Sequence, residues 1–426
     1  MPKPQQSVPG LPARQAALRL LDAVLRRGET LDQAYPHAVQ RVGEFADKAL
    51  ARAIASEALR WLTDLDALID GATQRNLPGD AKARSVLRIM CAQWLRLDTP
   101  PHAVIATGLP LLEGGPRRLA HGVFSALVKR EVRLPEAPSL PEAVRERWGE
   151  KADAIAAGMA LPPPLDLSLR DPAATEEWTE KLGAVSLAPG HLRLPRGQSV
   201  ETLEGYGKGA WWAQDLAARL PASLLGPGEG RRVLDLCAAP GGKTLQLAAA
   251  GWQVTALDIS KRRLERVREN LDRTGLEAEI VRADALKWRP KLEDGSEAVF
   301  DAVLLDAPCT ATGTLRRHPD VIHRIGPRQI EHLTQLQADL LARAADWVKP
   351  GGTLVYAVCS LEREEGEAQA EAFDAEGAMM PLPVNASELP DVLPAEASED
   401  GYLRTHPGML AEQGGLDGFF AARWQK

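Results

Sequence analysis

Val233-Leu234-Asp235-Leu236-Cys237-Ala238-Ala239-Pro240-Gly241-Gly242-Lys243-Thr244 is the stretch on which the fold of this 426-residue chain turns. Val233, Leu234 and Leu236 read as a buried strand with no breaker among them. Pro240-Gly241-Gly242 ends that strand, and its glycines admit positive φ and a close approach of ligand to backbone. A helix follows over 244–250. Strand, glycine-rich turn and helix make the opening unit of a doubly wound α/β domain, whose ligand lies beyond the carboxyl ends of the strands. The turn is not Gly-x-Gly-x-x-Gly. Gly242-Lys243-Thr244 matches only the end of a P-loop, so phosphate binding is not the favoured reading. A second strand, 253–257, runs into Asp258. An acidic side chain at that place accepts the hydroxyls of a ribose, so the pocket expects a nucleoside-bearing cofactor.

Downstream, strands at 231–236, 253–257, 279–283, 300–305 and 353–358 alternate with helices at 244–250, 260–274, 327–348 and 362–376. That pattern predicts a parallel sheet with helices on both faces. An apolar strand, 418–424, ends the chain.

Upstream, residues 11–140 read as all-helical. Ala17, Leu20, Leu21, Val24 and Leu25 fall on one helical face that Gly28 ends, and Leu50 to Leu68 give a second long stripe. Residues 81–97 are apolar on nearly all sides and read as the central helix, with Cys91 as core filler. Further helices fit 102–113 and 117–132. A proline-rich linker, 134–141, leads to a small mixed region. The expected organisation is therefore a helical domain at 1–140, a mixed α/β linker subdomain at 141–210 and an α/β domain at 211–426. Leu165 to Arg170 alternates as a strand, and Trp211-Trp212 is expected to open a helix and pack in the core.

The totals narrow the class. No run of about eighteen apolar residues occurs, so no membrane span is expected. Met1 to Ser7 carries no apolar secretory segment. Four scattered cysteines, without metal-ligand spacing, suit a reduced cytoplasmic protein with no metal. The net charge of −7 is concentrated: residues 361–400 hold twelve Asp/Glu and one Arg, whereas 1–140 hold nineteen Lys/Arg and fourteen Asp/Glu. A basic face for nucleic acid is thus compatible with the acidic total. The acidic stretch reads as a solvated loop.

The strand ends carry the chemistry. The third strand ends at Asp284, the fourth runs into Asp306-Ala307-Pro308-Cys309, and the fifth runs into Cys359-Ser360. Any one of these is ordinary, because a carboxylate after a strand is often a helix cap. Together they place three carboxylates, counting Asp258, and two thiols on one rim. Thiols without metal spacing suggest nucleophilic catalysis. On a nucleoside-cofactor fold, the reaction needing it is methylation at C5 of a pyrimidine. A thiolate adding at C6 makes C5 nucleophilic toward a sulfonium methyl. The C5 proton must then leave before the thiol is eliminated.

Cys237 to Thr244, Asp258-Ile259-Ser260-Lys261-Arg262-Arg263, Asp306 to Gly313, Arg316-Arg317-His318-Pro319-Asp320, Val358-Cys359-Ser360 and Gly414 to Phe420 resemble the motifs of the RNA cytosine-C5 methyltransferases that use S-adenosylmethionine. The helical region resembles the NusB-like RNA-binding domain, and the pairing is similar to the RsmB (Sun/Fmu) group that acts on 16S rRNA. The resemblance implies a NusB-like all-α domain followed by a Rossmann-like methyltransferase domain. It implies that Cys237, Ala238, Ala239, Pro240, Gly241, Gly242 and Lys243 contact the methionine end of the cofactor. Asp258 would hold the ribose, Asp284 the adenine edge, and Asp306 would lie between cofactor and cytosine. Cys359 would be the nucleophile and Cys309 would assist product release. Val358 stands where the family usually has Thr, a hydroxyl the chemistry does not need. Arg316, Arg317 and His318, following the Asp306 loop, are expected to meet RNA phosphates. The implied enzyme is a monomer acting on a single-stranded or flipped-out cytosine. Three alternatives differ from it: a methyltransferase for an amino group, one for cytosine in another RNA such as tRNA, and a non-catalytic RNA-binding or assembly factor. The first would want Asn/Asp-Pro-Pro-aromatic where this chain has Asp306-Ala307-Pro308-Cys309.

Overall fold

The computed structural model describes residues 9–291 and 298–426. The Met1 to Ser7 segment discussed above lies outside them. The chain divides into two compact units: residues 1–160 with 317–325, and residues 161–316 with 326–426.

The first unit is helical. Helix Leu11–Arg27 is closed by Gly28 in the left-handed conformation (φ 69°), as its sequence predicts. The stripe from Leu50 to Leu68 is two helices, Phe45–Arg60 and Leu62–Gly71, broken at Trp61. Helix Lys82–Arg96 is central, with every residue from Ala83 to Gln93 buried. Cys91 is fully enclosed there, and burial pushes its thiol up to about 12.

This unit extends past the expected boundary at 140. The 134–141 linker is pinned down: Ser139 donates from its backbone N and its Oγ to Asp64. Helices Glu142–Trp148 and Ala152–Met159 follow. Arg60 donates to the Met159 carbonyl at 2.6 Å, and Arg96 donates to that of Ala160. Buried guanidinium groups need such acceptors, and here the last turn of a helix supplies them. The dividing line therefore falls at 160.

The second unit begins with a small antiparallel sheet of β1 (Leu165–Leu169), β2 (His191–Leu194) and β3 (Trp211–Ala213), in the order β2-β1-β3. Trp211 and Trp212 are buried as expected, but on a strand. The helix starts at Leu216, where Asp215 accepts from the Ala217 N–H. Residues 161–210 form no separate compact unit. Asp166 on β1 takes both prongs of Arg193 at 2.7 Å and also the backbone N–H of Leu216. That carboxylate ties the small sheet to the first helix of the α/β fold.

The large sheet contains β4 (Arg232–Leu236), β5 (Gln253–Asp258), β6 (Glu279–Arg282), β7 (Phe300–Asp306), β8 (Val348–Val358), β9 (Met380–Pro381), β10 (Leu403–Thr405) and β11 (Phe419–Gln425). Among the described residues its order is β10-β11-β8-β7-β4-β5-β6, with β9 on β11. Strands β4 to β8 pair in parallel, and β11 returns antiparallel to β8. The six strands read from sequence are all present. Strands buried on both faces are apolar almost throughout, as in Val303-Leu304-Leu305. No helix among the described residues is long and apolar enough to cross a membrane.

The acidic stretch is not the solvated loop its composition suggested. Glu362 and Glu365 are buried, and Ala370 and Phe373 of helix Glu367–Glu376 pack into the core. Asp374 accepts from the Trp424 indole, and Glu367 pairs with Arg404. Glu388 takes both prongs of Arg423 at 2.7 and 2.9 Å. A count of charges along the sequence does not reveal these partners, which lie up to 50 residues away.

The Arg423 guanidinium holds the Glu388 carboxyl below its ordinary value, against burial that acts the other way. A depressed carboxyl stabilises the fold above its unfolded value of about 4.3 and loses that contribution as pH falls through the folded value. Glu388 is one-third exposed, so solvent screens the pair. We expect Glu388→Gln to cost about 1 kcal/mol in urea unfolding at pH 7 and progressively less below about pH 4.

Candidate active site

The site stands on the carboxyl ends of β4, β5, β7 and β8. Past β4 the chain enters the turn through Cys237 at positive φ (59°), and Gly241 takes φ 106°. A Cβ on Gly241 would press on Val267 at 3.3 Å. Helix Gly242–Ala249 then starts, anchored beneath the turn by Thr244, which donates to Asp235 at 2.6 Å. Asp235 is fully buried, and burial pushes its carboxyl up to about 7 despite that hydrogen bond. Burial and the neighbouring Asp258 push the Cys237 thiol up to about 12. Such a thiol is an inert lining group rather than a nucleophile.

Asp258 closes one side of the turn. Its carboxylate accepts from Ala239 N at 3.3 Å and Ser260 N at 2.8 Å. Arg263 covers it, 3.5 Å away, while donating to the Ala239 carbonyl. The Arg263 side chain is 52% exposed. Ile259, next to Asp258, leaves an aliphatic side chain 66% exposed. Asp284, past β6, accepts from Leu286 N and pairs with Lys287 at 3.3 Å. A turn lined by backbone, two acceptor carboxylates at adjacent strand ends and one exposed aliphatic side chain suit a nucleoside.

On the other side, Lys243 donates to Asp306 at 2.8 Å. Burial lowers the Lys243 ammonium, but Asp306 outweighs that and leaves it raised, hence charged. Lys243 also lies 5.0 Å over the Phe419 ring, a cation–π contact. Beyond Asp306, Cys309 and Cys359 face each other with their sulfurs 3.5 Å apart, both half-buried. The hydrogen bond with Cys359 and burial hold the Cys309 thiol well above its ordinary value.

The loops bearing these thiols cross a third segment. Gly313 N donates to the Cys359 carbonyl at 3.0 Å, and Gly418 N donates to the Gly313 carbonyl at 2.8 Å. A Cβ on Gly313 would lie 1.9 Å from the Gly418 oxygen. Glycine at 313 is therefore a steric requirement, and it explains why the C-terminal Gly414 to Phe420 motif accompanies the others.

The structure brings together Cys237 to Lys243, Asp258, Asp306, Cys309 and Cys359, and it places Asp284 on the same rim. It divides the basic cluster. Arg316 is 1% exposed. It donates to the Gly414 carbonyl and stands 3.7 Å from Asp417 and 3.9 Å from Asp215. The expectation that Arg316 meets RNA phosphates is therefore corrected: two buried carboxylates draw its charge inward. Arg317 is exposed, and His318 lies 3.6 Å from Asp32, both within the helical unit. Burial lowers the His318 imidazole despite that carboxylate.

Sequence reasoning missed a buried set behind the thiols: Thr310, Thr312, Gln337, Ser360 and Glu365. The two threonines and Ser360 lie inside quoted motifs and were available as signals. Glu365 sits in the run Glu362-Arg363-Glu364-Glu365, which reads as surface.

Arg316→Ala strips a buried cluster of its cation, which costs about 3–5 kcal/mol in comparable cases. We expect the unfolding midpoint to drop accordingly. The slope of log RNA affinity against log salt should stay unchanged; a fall of about one unit would restore Arg316 as a phosphate contact.

Residues 222–425 match the family model described as 16S rRNA methyltransferase RsmB/F, and residues 11–111 match that of the NusB family. Curated relatives include the ribosomal RNA small subunit methyltransferase B of Klebsiella pneumoniae subsp. pneumoniae. It is 34% identical, over 84% of this chain and 89% of its own. Its namesake from Xylella fastidiosa strain Temecula1 is 35% identical over 97% of this chain and 98% of its own. Among solved structures, that of PH0851 superposes with a TM-score of 0.72 at 23% identity, covering 99% of this chain and all of that one. At such identity the likeness concerns the fold alone. The site geometry and the curated relatives agree: this chain belongs to the RsmB/F family of S-adenosylmethionine-dependent RNA methyltransferases.

Proposed function

We propose that this enzyme methylates C5 of a cytosine in 16S rRNA through a covalent bond between Cys359 Sγ and C6 of the base. The observation that carries the reading is the pair of thiols 3.5 Å apart beside Asp306. The choice of 16S rRNA rests on the names of the relatives.

S-adenosylmethionine, when bound, supplies an electrophilic methyl group on sulfonium. Asp258, Asp284 and the 237–243 turn would hold its nucleoside and methionine ends. Lys243 keeps Asp306 in place by their ion pair. Asp306 in turn would accept a hydrogen bond from N3, which must carry a proton for the thiolate adduct to be a neutral enamine. The electron pair displaced to C5 then takes the methyl group. Removal of the C5 proton lets the C5–C6 double bond re-form and expels Cys359.

The two thiols stand close enough to divide the work between them. Cys309 is held protonated first by its hydrogen bond with Cys359, then by burial. With Cys359 bonded to C6, Cys309 stands beside the adduct, where it would assist release of the product. The cytosine must leave its stack to reach either sulfur. We take the enzyme to act as a monomer.

Cys359→Ala should abolish adduct and product together, a loss on the order of 1,000-fold or more. Cys309→Ala should form adduct and release it slowly, so protein–RNA complexes stable to denaturant accumulate. Digestion of the RNA to nucleosides should yield 5-methylcytidine from the wild type. The reverse pattern, adduct accumulating in Cys359→Ala, would exchange the two roles.

A further inference from the structure

We infer that Glu365 is a positioning residue that locks the two cysteine loops into one reactive unit; this rests on the thiol roles proposed above. Glu365 has no exposed surface, and its carboxylate bonds to the residues beside the thiols rather than to the sulfurs. Four donors converge on its two carboxylate oxygens: the backbone N and the Oγ of Thr310, the Oγ of Ser360 and the Nε2 of Gln337. Thr310 directly follows Cys309, and Ser360 directly follows Cys359. One carboxylate therefore grips the residue after each thiol.

The grip is braced from other sides. Gln337, on helix Pro327–Asp346, donates also to the Pro308 carbonyl at 2.9 Å, just before Cys309. The Tyr356 hydroxyl, on β8, donates to the Glu365 carbonyl oxygen at 2.6 Å. Ser360 Oγ accepts from Glu362 N, and Thr312 Oγ accepts from Leu361 N at 2.9 Å. Both threonines, Ser360 and Gln337 are buried. Every donor at the carboxylate is thus satisfied from within, and a change of one oxygen to an N–H donor would set two donors against each other. Glu365 also adds negative charge behind Cys309 and helps to keep that thiol protonated.

A merely structural glutamate would lower stability without altering how the thiols meet. The distance between the sulfurs is therefore the property to read. Diamide oxidises two adjacent thiols to a disulfide and takes up their two electrons and two protons, becoming the hydrazine. Its rate, followed by mass spectrometry of the Cys309–Cys359 peptide pair, reports how often the sulfurs come within bonding reach. The same protein gives kcat and the KM for S-adenosylmethionine.

For Glu365→Gln we expect the disulfide rate and kcat each to fall at least 10-fold, with KM for S-adenosylmethionine within twofold of wild type. The last is expected because the hydrogen bonds of Glu365 run to Thr310, Gln337, Tyr356 and Ser360, not to the 237–243 turn or Asp258. Thr310→Val, which removes one donor and keeps the side-chain shape, serves if Glu365→Gln does not fold, with about threefold losses expected in both rates. An unchanged disulfide rate in the variant that folds overturns the inference. A reduced disulfide rate with wild-type kcat would uphold the placement and overturn the reading of the two cysteines as the catalytic pair.

Discussion

The parallel register of β7 on β8 is the constraint on which the site depends. Leu305 stands beside Tyr356 and Asp306 beside Ala357. Ala307 N extends the ladder to the Ala357 carbonyl at 2.9 Å. Both strands therefore release their chains at the same edge, and sulfurs 50 residues apart in sequence meet. A strand rises about 3.3 Å per residue, so a slip of two residues, the smallest that keeps the buried face buried, would part the thiols by roughly 7 Å. The apolar run Val303-Leu304-Leu305 against Leu354-Val355-Tyr356 sets that register by burial on both faces. Core packing and catalytic geometry are here the same fact.

Beyond the strand ends, apolar burial no longer fixes position, and polar groups take over. Behind the thiols, a buried set of hydroxyls, one amide and one carboxylate is joined by hydrogen bonds. Such sets are costly to leave half-made and therefore specify one arrangement. Arg404 adds a further brace: it donates to the Ser360 carbonyl at 2.6 Å while paired with Glu367. The acidic stretch supplies the carboxylates of both arrangements. The same logic places Arg316 among Asp215, Asp417 and the Gly414 carbonyl, where it fastens the end of the Cys309 loop to the C-terminal motif.

Much of this was legible in the sequence. Alternation of apolar runs with helical stripes gave the parallel strands and the helical unit, because burial writes a period into the chain. Strand ends marked by Asp258, Asp284, Asp306, Cys309 and Cys359 named the rim, since parallel strands must all end on one side. What stayed hidden depends on partners far away in sequence. Nothing local shows that Glu365 is enclosed whereas Glu364 is exposed. Nothing in Arg316-Arg317-His318 shows that the first turns inward and the second outward. Trp211-Trp212 looked helical because a three-residue strand is too short to show a period. The boundary at 160 rather than 140 depends on Arg60 and Arg96 reaching carbonyls at the end of a helix that follows a proline-rich segment.

The most direct test of the account is the fate of the hydrogen at C5. RNA transcribed with tritium at cytosine C5 should release one tritium into water for each methyl group transferred from S-adenosylmethionine, because substitution at C5 must expel it. Methyl transfer with no tritium release would place the new group elsewhere on the nucleotide and contradict the thiol mechanism.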